Sequence, residues 1–225
     1  MSKDNRKIRK QIRHGKQRSQ KTIRQWIGFG ALVLILLVAV FFIVSQPKSA
    51  PLSEARLASN PTLGPATAKV TIVEYGDFGC PTCRAWYKAG ILERVRAVYP
   101  DSVQFVWKDF PVITTQSHKA AEAGQCAFDQ GKFWQYHDLL YEKAPALSES
   151  ELKGYAAQVG LDTTKFNQCL DSGQDRAKVE QSLNEAQRQY AFPGTPSFLI
   201  NGEKLIGPPT FETLKSIIDP ILAGG

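Results

Sequence analysis

The chain has 225 residues, 43% of them hydrophobic, enough for one domain with its own core and some additional segments. Its formal net charge of +7 suggests a polyanion partner only until it is mapped. Ten of the 28 Lys/Arg, but only Asp4 of the 21 Asp/Glu, fall in the first 25 residues, and the 18 bases and 20 acids left elsewhere exclude a basic nucleic-acid face on the folded body.

Residues 1–25 are polar and basic with no core-forming pattern, which predicts a disordered cytosolic tail. From Trp26 to Ser45, "WIGFGALVLILLVAVFFIVS" carries no charge over twenty residues, the length that crosses a hydrocarbon core about 30 Å thick. A buried helix of a soluble domain would need a polar face, and this stretch has none. With ten bases before the span and only Lys48 close behind it, the positive-inside rule puts the N-terminus in the cytosol. The sequence therefore predicts a single-pass inner-membrane protein with its folded domain outside the cytoplasm. The apolar run exceeds the roughly 7 to 15 residues of a cleaved signal, and Pro51 spoils the "KSA" cleavage point, so a retained signal-anchor is expected.

Residues 46–68, rich in Pro, Ala and Ser, read as a linker, and a single domain is expected over 69–225. "VTIVEY" (70–75) and "SVQFVWKDF" (102–110) read as strands. Between them Trp86, Ile91, Val95 and Val98 recur at helical spacing until Pro100, giving a βαβ unit with Cys80 and Cys83 at its first turn. Residues 115–190 are helical in character, with breaks expected at Gly131, near Pro145, at 160–162 and at Gly173. "SFLINGEKLIG" (197–207) reads as a hairpin turning at Asn201 and Gly202, and a last amphipathic helix is expected over 210–222. The fold class is α/β, a small mixed sheet with an inserted helical subdomain.

The chemistry centres on "GCPTC". With Pro81 as the first or second helical residue, Cys80 lies at a helix N-terminus, where unpaired N–H groups and the positive dipole end favour a thiolate. Such positions lower a cysteine pKa from about 8.5 to somewhere between about 3.5 and 7.5, which makes the sulfur both attackable and a good leaving group. Cys83, one turn in, is expected to be more buried. A fold-locking disulfide is a poor alternative, because a bridge three residues apart restricts the unfolded chain little. A zinc site would want a second close pair or nearby histidines, whereas Cys126 and Cys169 stand far apart in sequence. His118, His137, Trp86, Phe133, Trp134 and Tyr136 read as packing or surface residues.

"GCPTC" after a strand and "GTPSF" before a hairpin, with "CAFDQGKFWQYHDLLY" and "FNQCLDSG" in the helical part between them, resemble the thioredoxin-like, DsbA-type thiol–disulfide oxidoreductases over about residues 68–222. The resemblance implies a thioredoxin fold and no bound metal or organic cofactor, the redox-active disulfide itself carrying the electrons. It implies that Cys80 forms the mixed disulfide with substrate, that Cys83 opens and closes the active-site bond, and that Pro196 follows a cis peptide bond. Thr195 would then have a backbone free to pair with a substrate strand; from local sequence alone a trans proline is the commoner outcome. Glu74 matches a buried acid that helps move the proton of the second cysteine, an exposed strand-end glutamate being the alternative. In an oxidising compartment the two remaining cysteines, Cys126 and Cys169, favour pairing over free thiols or a regulatory couple, and the resemblance also implies a second, non-catalytic disulfide.

The implied partners are reduced exported proteins as substrates, the bilayer, and a quinone-linked DsbB-like or VKOR-like reoxidase. Pro81 and Thr82 replace the Pro–His of the most strongly oxidising relatives, and Thr195 also occurs in isomerases and reductases of the superfamily. Direction of electron flow therefore stays open between an oxidase and an isomerase or reductase. A non-catalytic adaptor or chaperone is the remaining alternative.

Overall fold

A computed structural model describes residues 59–224. The basic tail, the expected span at 26–45, residues 46–58 of the expected linker and Gly225 lie outside the described residues. Among the described residues no helix is long and apolar enough to cross a membrane.

The elements run β1 (Thr62–Leu63), β2 (Val70–Gly76), α1 (Pro81–Lys88), α2 (Ile91–Val98) and β3 (Val103–Asp109), then five helices between the sheet strands. These are α3 (Ser117–Phe128), α4 (Phe133–Lys143), α5 (Glu149–Gln158), α6 (Thr163–Ser172) and α7 (Arg176–Asn184), the last running into a π-helical turn, Glu185–Gln189. The chain returns to the sheet with β4 (Ser197–Ile200) and β5 (Glu203–Ile206) and ends on α8 (Phe211–Ala223). The sheet order is β1-β3-β2-β4-β5, with β2 and β3 parallel and every other pair antiparallel. This is the expected thioredoxin-like α/β fold with a helical insertion.

Alternation builds the sheet. In β3, Val103, Phe105, Trp107 and Asp109 are buried while Gln104, Val106 and Lys108 are half-buried, the period-2 pattern of a strand with one face committed to a core. Val70, Ile72, Phe105, Phe198 and Ile200 form one core with Trp86, Leu92, Val95, Phe211, Leu214 and Ile218. Each fully buried side chain of this kind contributes about 1.5 to 3 kcal/mol. The register Glu74↔Trp107 and Tyr75↔Ser197 then fixes which β2 side chains meet which neighbours.

The expected helix between β2 and β3 is two helices. Gly90 adopts φ 65, a left-handed conformation that glycine tolerates and that ends an α-helical run. The restart changes the phase of the apolar face, so Leu92 and Val95 are buried while Val98 is 50% exposed. β1 lies inside the stretch read as linker and pairs with β3 through Thr62↔Val106.

In the insertion every expected break coincides with a helix boundary. Asp162 caps α6 by accepting the N–H groups of Thr164 and Lys165, and Gly173, at φ 63, closes it. Cys126 of α3 and Cys169 of α6 are joined in a disulfide, tying the two helices together within a core that includes Phe133, Tyr136, Leu140, Leu152, Phe166 and Leu170. In the β4–β5 hairpin Asn201 and Gly202 take φ 49 and 90, the pair of positive angles that a two-residue turn demands.

Candidate active site at the start of the first helix

Strand β2 delivers the chain to a turn organised by Asp77. Its carboxylate accepts the N–H of Gly79 at 2.7 Å and those of Val112 and Ile113 at 2.8 Å each, and its carbonyl accepts the N–H of Cys80 at 3.0 Å. The turn before α1 and the loop after β3 are thereby fastened to one side chain. A Cβ at Gly79 would overlap the hydroxyls of Thr114 and Ser117, so the close approach of the two segments requires glycine there.

That turn leaves Cys80 as the N-cap of α1, with Pro81 as its first helical residue. The sulfur accepts the backbone N–H of Cys83 at 3.4 Å and its thiol donates to the carbonyl of Thr195 at 3.4 Å. Both thiols are free and buried. The Cys80 thiol is lowered to about 6, first by a hydrogen bond from the Cys83 thiol and then by the Thr195 side chain and the N–H groups of Cys83 and Thr82, against the opposing effect of burial. Cys83 is pushed the other way, by burial first, then by its bond to Cys80 and the charge of Glu74. One sulfur is therefore a ready thiolate and its neighbour a proton-holding thiol.

Glu74 is buried, 2% exposed, rather than at an open strand end. Burial, followed by the negative charge of Cys80, raises its carboxyl to about 8. Thr195–Pro196 is a cis peptide, and the carbonyl of Thr195 lies against the Cys80 sulfur. The Thr195 hydroxyl is buried with no hydrogen-bond partner in the dithiol form, yet it faces the sulfur closely enough to favour its ionisation. Pro81 and Thr82 complete α1's first turn, Thr82 contributing a backbone donor.

A groove of about 390 Å³ opens beside Cys80, lined by Phe78, Pro81, Arg84, Lys88, Ala144 and Pro145 among others. Arg84 shapes its wall by donating from Nε to the carbonyl of Tyr141 at 2.9 Å. Ala144–Pro145 is a second cis peptide, which no signal in the sequence distinguished from an ordinary loop proline. Under the turn, Phe78 stacks on Trp107 with ring centroids 5.0 Å apart. His137 is buried among Phe78, Trp107, Tyr141 and other rings, away from the sulfurs' hydrogen bonds, consistent with packing. Cys126, Cys169 and Asp175 lie within 4.8 Å of one another, but with their sulfurs joined in a disulfide these cysteines offer no thiolate ligands. Sequence reasoning missed Asp77. The signal was there: an aspartate two residues before a glycine, which readily accepts the N–H two positions on.

A low-pKa sulfur hydrogen-bonded to a buried partner thiol, on a thioredoxin-like sheet, defines a thiol–disulfide oxidoreductase. A family model described as "Thioredoxin" matches residues 57–220, and the chain belongs to that family, among its DsbA-type thiol–disulfide oxidoreductases. Over 213 residues it is 30% identical to the "Probable disulfide bond formation protein D" of Bacillus anthracis, covering 89% of this chain and 96% of that one. It is 34% identical to the Na(+)/H(+) antiporter NhaA 1 of Salinispora arenicola over 165 residues, 72% of this chain; the match spans only 24% of the antiporter's length. Among solved structures, a thioredoxin-like oxidoreductase from Silicibacter pomeroyi DSS-3 superposes with a TM-score of 0.67 at 27% identity, covering 77% of this chain and 100% of that one.

Proposed function

We propose that the protein is an extracytoplasmic, membrane-anchored oxidase that introduces disulfides into exported proteins through Cys80 and Cys83. The observation that carries this reading is the Cys80 sulfur at the N-terminus of α1, where it accepts the N–H of Cys83 at 3.4 Å and its thiol is lowered to about 6. A stabilised thiolate favours the reduced form of the couple, and a couple whose reduced form is favoured is an oxidant.

In the oxidised protein a substrate thiolate attacks the Cys80 sulfur, forming a mixed disulfide as the Cys80–Cys83 bond breaks. Cys83 leaves with the bonding pair and takes a proton. Glu74, held protonated at neutral pH by a carboxyl raised to about 8, is the buried acid able to exchange that proton. A second substrate thiol, deprotonated, then attacks the substrate sulfur of the mixed disulfide and expels Cys80 as the thiolate seen to be favoured here. Two electrons pass from the substrate dithiol to the Cys80/Cys83 pair. Thr195 and cis-Pro196 would hold the incoming substrate strand, and Pro81 and Thr82 set the dipole and donor pattern at the reacting sulfur.

The membrane placement rests on the uncharged stretch 26–45 and the basic residues before it. Anchoring would keep the domain close to a quinone-linked DsbB-like or VKOR-like reoxidase. The same pair of thiols could serve an isomerase or reductase, and Thr195 before the cis proline is the residue that favours that second reading. The redox potential separates them. A value near about −120 mV supports the oxidase, whereas one near about −270 mV supports a reductase. A Cys80→Ser variant is expected to lose all disulfide transfer to a reduced model protein, and unchanged transfer would reject exchange through Cys80.

A further inference from the structure

The Thr195 carbonyl can meet Cys80 only if the preceding segment, residues 185–194, is held in place, and that segment has an unusual backbone. It begins with a π-helical turn in which the N–H of Tyr190 reaches the carbonyl of Glu185 at 3.1 Å, and it continues through Ala191 at φ 50, a left-handed angle that non-glycine residues rarely adopt. Glu185, the first residue of the turn, is the point where this segment is bonded to the sheet. Its Oε1 accepts the hydroxyl of Tyr75 at 2.6 Å, and its Oε2 pairs with Nζ of Lys108 at 2.8 Å. Tyr75 and Lys108 sit opposite each other on β2 and β3, so one carboxylate clamps two strands.

The clamp is continuous with the site. The Tyr75 ring packs against Tyr190 and Phe192, centroids 5.8 and 5.1 Å away. Lys204 of β5 donates to the Tyr190 carbonyl at 2.6 Å, and Ser197, the β4 partner of Tyr75, donates from Oγ to the Gly194 carbonyl at 2.7 Å. Two residues past Tyr75, just beyond the end of the same strand, the Asp77 turn sets Cys80. Tyr75 thus packs against the segment that leads to Thr195 and lies on the strand that leads to the cysteine.

We infer that Glu185 is a positioning residue for thiol–disulfide exchange: by bonding Tyr75 and Lys108 it fixes the approach of Thr195 to the Cys80 sulfur. The inference rests on the exchange reading above. Cutting the clamp loosens Thr195 from the sulfur, and the thiolate loses the support of the Thr195 side chain, the group of this residue that lowers the Cys80 thiol; the carbonyl, an acceptor, holds only the neutral thiol.

The test is a titration of Cys80 in the intact protein, followed by thiolate absorbance, in Glu185→Ala and Tyr75→Phe. Each is expected to move the midpoint upward by about half a unit to one unit, the share that one lost hydrogen bond carries. Glu185→Gln, which keeps an acceptor for Tyr75, is expected to fall closer to the unaltered protein. In a Thr195→Val background the Glu185→Ala shift should largely vanish, because the side chain it acts through is already gone. Should Glu185→Ala not fold, Tyr75→Phe, which keeps the ring, carries the test alone. An unmoved midpoint in folded variants, or a full shift persisting without the Thr195 hydroxyl, overturns the role of Glu185. Neither outcome touches the oxidoreductase reading, which stands or falls on exchange by the unaltered protein.

Discussion

Removing the Cys83 thiol is the sharpest way to ask why Cys80 ionises so readily. In Cys83→Ala the hydrogen bond ranked first among the causes of the lowered Cys80 thiol disappears, while the backbone N–H at position 83, the N–H of Thr82 and the Thr195 contacts remain. A hydrogen bond to a charged group is worth about 1.5 to 3 kcal/mol, and one pKa unit corresponds to about 1.36 kcal/mol. The Cys80 midpoint should therefore rise from about 6 by roughly one to two units. At about pH 6.5 the thiolate fraction would drop from about three quarters to about a quarter or less. Alkylation rate at a single pH hides this change, since a more basic sulfur is also a better nucleophile, with a Brønsted slope of about 0.4 to 0.5. Ultraviolet thiolate absorbance against pH reads the midpoint directly. A midpoint that stays near 6 would refute the argument and assign the lowering to the helix terminus instead.

The same lowering sets a pH dependence for the couple. Because the folded pKa of Cys80 lies below its ordinary value, the stabilisation of the dithiol form is complete above about pH 8.5 and is lost as pH falls through about 6. At about pH 7, after allowance for solvent screening along the groove, it amounts to about 1 kcal/mol, or on the order of 20 mV of added oxidising power.

Three further perturbations follow from the geometry. Thr195→Val removes the buried hydroxyl facing the sulfur, so the Cys80 midpoint should rise and the potential of the couple become more negative, both read on the purified protein; a more positive potential would contradict the placement. Glu74 has its folded pKa raised to about 8, chiefly by burial, so it contributes stability that is full below about pH 4.3 and lost as pH rises through about 8; Glu74→Gln should flatten the fall in unfolding free energy between those limits and slow the release of Cys83, and an unchanged pH profile would count against a buried acid. The Cys126–Cys169 bridge closes a separation of 43 residues, so a Cys126→Ala, Cys169→Ala double variant should lose roughly 3 to 4 kcal/mol in denaturant unfolding, a loss under about 1 kcal/mol being incompatible with a bridge that restricts the unfolded chain.

What could be read from the residues was what local chemistry determines. The hairpin was legible because Asn201 and Gly202 are the residues that tolerate positive φ, and the breaks in the insertion because Gly131, Gly160 and Gly173 end helices. Gly90 was passed over, since a lone glycine inside an apolar repeat is often tolerated and only the shift in phase from Val98 to Leu92 gives it away. β1 was not legible: Thr62–Leu63 is too short to show alternation, and it is strand only because β3 offers it an edge. Cys80 announced itself through Pro81 and its turn, whereas the opposing face, Thr195 and Pro196, was legible only through the resemblance carried by "GTPSF", since nothing local marks a cis proline. The Glu185 clamp was invisible because its meaning depends on a contact across 110 positions with Tyr75.

The measurement that bears most directly on the central claim is a trap for the mixed disulfide. With Cys83→Ala the chain keeps the attacking and leaving sulfur but loses the thiol that would reverse the exchange, so incubation of its Cys80, preactivated as a mixed disulfide with a small thiol, with a secreted protein reduced to a single cysteine, which has no second thiol to expel Cys80, should accumulate a covalent complex that reductant dissolves and that Cys80→Ser cannot form. A Cys83→Ala protein that yields no such complex, or a Cys80→Ser protein that yields it, would contradict exchange through Cys80.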